Sequence, residues 1–216
     1  TYQVPTYQAL KGITEQIYWK PTLLYYIDSV KVMKEIQTET KGIRTPMKNG
    51  DNDLNYYTYL RDVEYLVKFH FEWNTNHPEL LEDRNEIKHE QIILRSLSKG
   101  GRRDIFLGTR ECVGYVERLR EEQFQSAISY YDGKKVSFGI MFHSFTYPDE
   151  AIQNNTENLL FSNFTDIKMD NGRIDFIRPE DCQIQHNLRN YSIKRFTKDT
   201  IISVDEELNS LPEEVS

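Results

Sequence analysis

The sequence predicts an α+β fold: a ferredoxin-like unit lacking its first strand, followed by a small antiparallel β-sheet region. Three observations lead to that class. Helix-period and strand-period segments follow one another in the order α-β-β-α-β up to residue 118, a β-α-β-β-α-β unit without its opening strand. Within it, Val63, Tyr65, Val67, Phe69, Phe71 and Trp73 fall on one face and Glu64, Lys68, His70 and Glu72 on the other. That is the period of two of a half-buried strand. Beyond residue 118, turn signals punctuate short apolar runs, as in an antiparallel sheet.

The elements follow in order. Pro5-Thr6 opens a helix with Thr6 as cap, and Leu10, Ile13 and Ile17 recur at helical spacing until Lys20-Pro21 stops the pattern. Leu23 to Thr38 reads as extended, and Thr40 to Asn55, rich in Gly, Asn, Asp and Pro, as a loop. After the alternating strand, Asn74 to Pro78 is a turn. A second helix follows, with Asp83 and Glu86 in capping-box relation and Ile87, Glu90, Leu94 and Leu97 along one stripe. Gly100-Gly101 ends it, and Ile105 to Val116 is a further strand region interrupted by Gly108 and Gly114. In a ferredoxin-like sheet the first strand is central, so its absence is expected to leave an unpaired gap in the middle. Residues 119–197 form the β-rich remainder. There Asp132-Gly133 turns into Val136 to Phe145, and Asp170-Asn171-Gly172 joins Phe164–Met169 to Arg173–Ile177. Residues 198–216 are an acidic tail expected to be disordered.

Composition excludes several classes. No apolar run approaches the roughly 20 residues that span a bilayer. Cys112 and Cys182, far apart, match neither a disulfide scaffold nor a zinc knuckle, and are expected to be reduced thiols in a cytoplasmic protein. The net charge of −7 argues at first sight against nucleic acid, but it is unevenly spread. From Lys198 to Ser216 six acids meet one lysine, whereas from Arg84 to Arg110 seven bases meet three acids. Phosphate affinity follows the local field, because distant charges are screened beyond roughly 10 Å.

That basic stretch carries the chemistry. Lys88-His89 pairs an imidazole, titrating near about 6.5, with a permanent cation. Such a pair can move a proton at a ribose 2′-hydroxyl or a departing 5′-oxygen while the ammonium steadies phosphorane charge. Taken alone, a histidine near a helix start is most often a packing residue. The loop Lys99-Gly100-Gly101-Arg102-Arg103 offers convergent amides and guanidinium forks to an anion, although a glycine-capped helix followed by a basic turn has the same sequence. Tyr18-Trp19-Lys20 offers a phenol, a stacking face and a cation, and Lys41-Gly42-Ile43-Arg44 is a second, weaker basic loop. There is no P-loop, His-Glu-x-x-His or Gly-x-Ser-x-Gly motif. Glu15, Glu39 and Asp62 are scattered acids and weak magnesium candidates, so no metal or cofactor is expected. His70 and His143 are expected to be structural.

Several stretches together are distinctive: Val4 to Ile13, Ile17-Tyr-Trp-Lys-Pro-Thr22, Gln37 to Arg44, Lys88-His89, Lys99-Gly-Gly-Arg-Arg-Asp-Ile-Phe-Leu-Gly-Thr-Arg-Glu-Cys112, and Phe142 to Glu150. Over nearly the whole chain to about residue 195, they resemble the Dvulg-subtype (type I-C) CRISPR-associated RAMP proteins. In that family the protein is the Cascade subunit that cuts repeat hairpins of precursor CRISPR RNA (crRNA). The resemblance implies an RRM-type main domain with a smaller β-sheet region. It also implies metal-independent cleavage that leaves a 2′,3′-cyclic phosphate and a 5′-hydroxyl. The family's catalytic positions correspond to Tyr18, Lys88 and His89. Family members begin with a strand and a glycine-containing loop before the Val-Pro-Thr segment, a region inside which this sequence starts.

The expectation is therefore an endoribonuclease acting on a precursor crRNA repeat hairpin. It would stay on the 5′ handle beside the backbone and large subunits of Cascade. Tyr18, Lys88 and His89 would act at the scissile linkage. Lys99, Arg102, Arg103 and Arg110 would contact phosphates or guanine edges at the stem base, and Gly100, Gly101, Lys41 and Arg44 would also bind RNA. The alternative is a non-catalytic subunit gripping the processed handle, and a weaker third option is a metal-dependent DNA nuclease.

Overall fold

The computed structural model describes residues 1–48, 50–150 and 158–191, so the acidic tail lies outside the described residues. The architecture is mixed α/β, with antiparallel strand pairing throughout the described sheets and few helices. Helix α1 (Tyr7–Ile17) starts where expected: the Thr6 hydroxyl accepts a hydrogen bond from the Ala9 amide at 3.2 Å. It buries Tyr7, Leu10, Thr14 and Ile17 and ends as Tyr18 turns extended, before Pro21 is reached.

Strand β1 (Leu23–Val32) is buried almost end to end. The alternating strand is β4 (Tyr65–Trp73), paired with β1 from Leu23↔Trp73 to Val32↔Tyr65. On its other side β1 pairs with β9 (Arg173–Asp175). The six-stranded sheet continues through β8 (Leu159–Asp170), which carries β7 (Lys135–Thr146) and β10 (Ile184–Asn190). The strands after residue 118 thus extend the sheet begun by β1 and β4 instead of forming a sheet of their own. β1 is paired on both sides, with β9 over Ser29 to Lys31, and β4 is a sheet edge beyond which no described strand adds.

Two packed clusters meet on β1. The larger joins Val4, Tyr7 and Leu10 to Ile27, Val30, Met141, Ile167, Met169 and Ile174. The smaller joins Tyr18, Leu23, Tyr25 and Ile93 to the aromatic face of β4, Phe69, Phe71 and Trp73. His143 is structural, as expected. It is fully buried, its ring stacks on Tyr7 at 4.4 Å, and burial pulls its pKa from 6.5 down to about 4.

Three other expectations are corrected. Thr40 to Asn55 is not a loop: β2 (Gln37–Pro46) and β3 (Asn52–Arg61) form an exposed two-stranded hairpin. Because neither face is buried, no apolar alternation marks it. Gly42 fits the hairpin because the Leu54 and Tyr56 side chains lean over the place its Cβ would occupy.

Helix α2 (Glu86–Ser98) is capped by Asn85, whose side chain accepts from the Lys88 amide at 3.0 Å. Asp83 ends a separate 3₁₀ helix, Pro78–Asp83. The buried face of α2 is His89, Ile93 and Ser96, while Ile87 is 72% exposed. The aromatic platform of β4 selects that face, since Ile93 and Leu97 pack against it. Finally, Ile105 to Val116 reduces to the short pair β5 (Ile105–Phe106) and β6 (Val113–Gly114), with helix α3 (Glu121–Ser126) beyond.

The Asn171-Gly172 turn, both residues at positive φ, matches the hairpin signal in the sequence. A Cβ on Gly172 would lie 2.1 Å from the Ser129 hydroxyl, whereas one on Gly133, also at positive φ, would meet nothing within 4 Å. In urea denaturation Gly172→Ala is expected to cost about 2–4 kcal/mol, and Gly133→Ala only about 1–2. Equal losses would show that the Ser129 contact does not matter. His143 sets a pH dependence. The unfolded imidazole binds a proton below 6.5 and the folded one only below about 4, so stability falls as pH drops through that window. Thermal denaturation is expected to show a shallower decline in His143→Phe; an unchanged slope would remove His143 as its source.

Candidate active site

Two chain reversals bring the predicted residues together. Tyr18 leaves α1 in extended conformation (φ −160°), which carries its ring off the helix axis toward α2. His89 lies on the buried face of α2, one turn in from the Asn85 cap. The Tyr18 hydroxyl and His89 Nδ1 are 3.0 Å apart, although 71 residues separate them in sequence. Both side chains are inside the protein, Tyr18 1% and His89 0% exposed, and the Trp73 ring meets the imidazole edge-on at 5.7 Å.

The second imidazole nitrogen fixes the direction of that hydrogen bond. His89 Nε2 is 2.8 Å from the Asp83 backbone carbonyl, which can only accept. Nε2 therefore carries the hydrogen in the neutral ring. Nδ1 presents a lone pair, and the Tyr18 phenol donates to it.

The Asp83 side chain makes three further approaches. One carboxylate oxygen takes the Lys88 ammonium at 2.5 Å; the other accepts from the Thr22 hydroxyl at 2.8 Å and lies 3.5 Å from His89 Nε2. Hydrogen bonds from Lys88 and then Thr22 hold the Asp83 carboxyl down to about 2, and Asp83 in turn raises the pKa of Lys88. Burial, followed by the Asp83 charge, pushes the Tyr18 phenol up, while Lys88 and Arg102 oppose that shift. Tyr18 is thus a proton donor near neutrality. Lys88, with its side chain 47% exposed, is the group of the trio that meets solvent.

The glycine loop reaches the same place. Lys99 caps α2, and Gly100 and Gly101 return amides to Leu97 and Ser96 at 3.0 and 2.8 Å, both glycines at positive φ. A side chain at Gly101 would be strained, because φ is +104° and a Cβ would sit 3.2 Å from the Arg103 carbonyl. The reversal lets the Arg102 amide bond the Ile17 carbonyl at 3.2 Å and sets its guanidinium 5.5 Å from the Tyr18 ring centroid. Lys99, Arg103 and Arg110 are exposed. Lys41 and Arg44 are exposed on the β2–β3 hairpin, where Lys41 pairs with Glu39 at 2.7 Å. Trp19, half exposed, follows Tyr18 directly.

Glu15, Glu39 and Asp62 do not converge, each paired instead with a lysine of its own. Among the described residues no three His, Cys, Asp or Glu side chains are grouped to hold a metal ion. His70 bonds Asp28 at 2.8 Å and stacks on Tyr26. Sequence reasoning assigned Asp83 to a helix cap and passed over Thr22. The only signal was an acid five residues before Lys88, and its meaning depends on the 3₁₀ turn that folds it back.

Comparison with known proteins places this geometry in context. The sequence model Cas_Cas5d, described as CRISPR-associated protein (Cas_Cas5), matches residues 1–177. No curated protein matches. A functionally uncharacterized protein of Streptococcus mutans, known from its crystal structure, is 49% identical. The match covers 86% of each chain with a TM-score of 0.73. A crystal structure of a CRISPR-associated protein matches at 45% identity, again over 86% of each chain, with a TM-score of 0.74.

Proposed function

The chain belongs to the CRISPR-associated Cas5 family (Cas_Cas5d), and on that footing we propose that it is a metal-independent endoribonuclease cutting the repeat hairpin of precursor crRNA. Family membership implies a subunit of a Cascade-type complex. The observation that carries the catalytic proposal is the 3.0 Å contact between the Tyr18 hydroxyl and His89 Nδ1, with Lys88 at its solvent side.

The chemistry runs as follows. The ribose 2′-oxygen attacks the adjacent phosphorus and the bond to the 5′-oxygen breaks, leaving a 2′,3′-cyclic phosphate and a 5′-hydroxyl. The Tyr18 hydroxyl passes its proton to His89 Nδ1 as it takes the proton of the 2′-hydroxyl, so no free phenolate forms. The couple then returns a proton to the departing 5′-oxygen. Lys88 moves from Asp83 onto the phosphorane oxygens, where its charge is worth most. Arg102, Arg103, Lys99 and Arg110, with the amides of Gly100 and Gly101, hold the stem base. Lys41 and Arg44 hold the flanking strand. After cleavage the protein keeps the 5′ handle and meets the backbone and large subunits of the complex.

One observation favours a second role, that of a non-catalytic subunit gripping the handle. Tyr18 and His89 are closed from solvent in the free protein, so cutting requires RNA to open the site.

Purified protein, repeat hairpin RNA and EDTA separate the two. Cleavage without metal is expected, with His89→Ala slowing it about 10²–10⁴-fold and leaving hairpin affinity unchanged. A 2′-deoxy substitution at the scissile nucleotide is expected to abolish cutting. Binding without cutting by the wild-type chain would leave only the gripping role, and undiminished cleavage by His89→Ala would remove His89 from the reaction.

A further inference from the structure

We propose that Asp83 is the positioning residue of this site, locking His89 in the Nε2–H tautomer and holding Lys88 at the mouth of the Tyr18–His89 couple. The inference rests on Tyr18, Lys88 and His89 forming the reaction centre. It adds a fourth residue that reaches that centre only through the other three.

The geometry gives Asp83 two tasks through two different groups. Its backbone carbonyl receives the Nε2 hydrogen of His89 at 2.8 Å, which is what leaves Nδ1 open to Tyr18. Its carboxylate fixes where that carbonyl sits, by bonding Thr22 at the start of β1 and Lys88 on α2 at once. The segment from Asn74 to Asn85 would otherwise be a surface strap with no buried side chain in its 3₁₀ helix. It is stitched down at both ends. The Asn74 amide bonds the Thr22 carbonyl at 2.9 Å, and the Arg84 guanidinium bonds the Asn74 carbonyl at 2.9 Å. Thr22 thereby anchors the strap twice, by its carbonyl at the Asn74 end and by its hydroxyl at the Asp83 end.

A bland alternative exists. With Lys88 about half exposed and Asp83 22% exposed, the pair resembles an ordinary surface ion pair, typically worth only about 0–1 kcal/mol of stability. An ion pair of that kind would not set the tautomer of a buried histidine. The Asp83 carbonyl does, and its placement depends on an aspartate length that reaches Thr22 and Lys88 together.

The deciding readout is the imidazole itself. In ¹⁵N-histidine protein at pH 8, long-range ¹⁵N–¹H spectra, with His89 assigned by comparison with His89→Gln, are expected to show Nε2 protonated and Nδ1 bare. In Asp83→Ala the strap loses its bonds to Thr22 and Lys88. Nδ1–H tautomer is then expected to appear, and hairpin cleavage to slow about 10–100-fold, as when a supporting shell is removed, at unchanged hairpin affinity. Asp83→Asn keeps an acceptor for Thr22 but loses the hold on Lys88, and is expected to shift the tautomer less than Asp83→Ala does. Should Asp83→Ala fail to fold, Thr22→Val removes one anchor only and is expected to shift the tautomer in the same direction. An Nδ1–H wild-type ring overturns the proposal, as does an Asp83→Ala protein with wild-type tautomer and rate. A wild-type chain that shows the Asp83-dependent tautomer yet cuts nothing refutes the nuclease proposal while upholding the positioning of His89 by Asp83.

Discussion

A single buried hydrogen bond, from the Tyr18 phenol to His89 Nδ1, organises this half of the molecule. For it to exist, α1 must end at Ile17 so that Tyr18 can swing out, and α2 must turn His89 instead of Ile87 toward the sheet. The aromatic face of β4 must also be present to receive Ile93 and Leu97 and to press Trp73 against the imidazole. Each condition is met by packing, not by the polar groups themselves. That order is physically sensible: a buried polar pair stabilises little on balance, but is costly if its partners are misplaced.

Charge is arranged around that bond in shells. The innermost groups are the phenol of Tyr18 and the imidazole of His89, 3.0 Å apart. Around them Asp83 and Lys88 cancel one another, and Arg102 leans on the phenol ring. Farther out, Lys99, Arg103 and Arg110 stand exposed. An acidic protein can hold a polyanion under these conditions, because the field at the loop is set by near neighbours.

Much of this could be read from residues alone, for identifiable reasons. The Thr6 cap, the alternation along β4 and the Asp170-Asn171-Gly172 turn are local signals, and each produced the element expected of it. The β2–β3 hairpin escaped because it buries neither face, so hydrophobic period had nothing to report. The α2 stripe was misplaced by one position, from Glu90, Leu94 and Leu97 to His89, Ile93 and Ser96, for the opposite reason. Its sequence offers two half-apolar faces, and the choice between them is made by β4. Lys88 and His89 were recognisable as residue types suited to phosphodiester chemistry, Tyr18 joined them through the family resemblance, and the fold brings the Tyr18 hydroxyl to His89. The burial of Tyr18 and His89 and the contacts of Asp83 were not legible, since they depend on the 3₁₀ helix that brings the Asp83 carbonyl over the imidazole.

The central claim is that Tyr18 and His89 handle protons as one unit, and a double-mutant cycle tests it most directly. Single-turnover cleavage of the repeat hairpin would be measured for wild type, Tyr18→Phe, His89→Gln and the double variant. If the two act through their shared hydrogen bond, the double variant is no slower than the slower single variant, because breaking either end already disables the couple. Rate losses that multiply would mean that the phenol and the imidazole act independently, which contradicts the account.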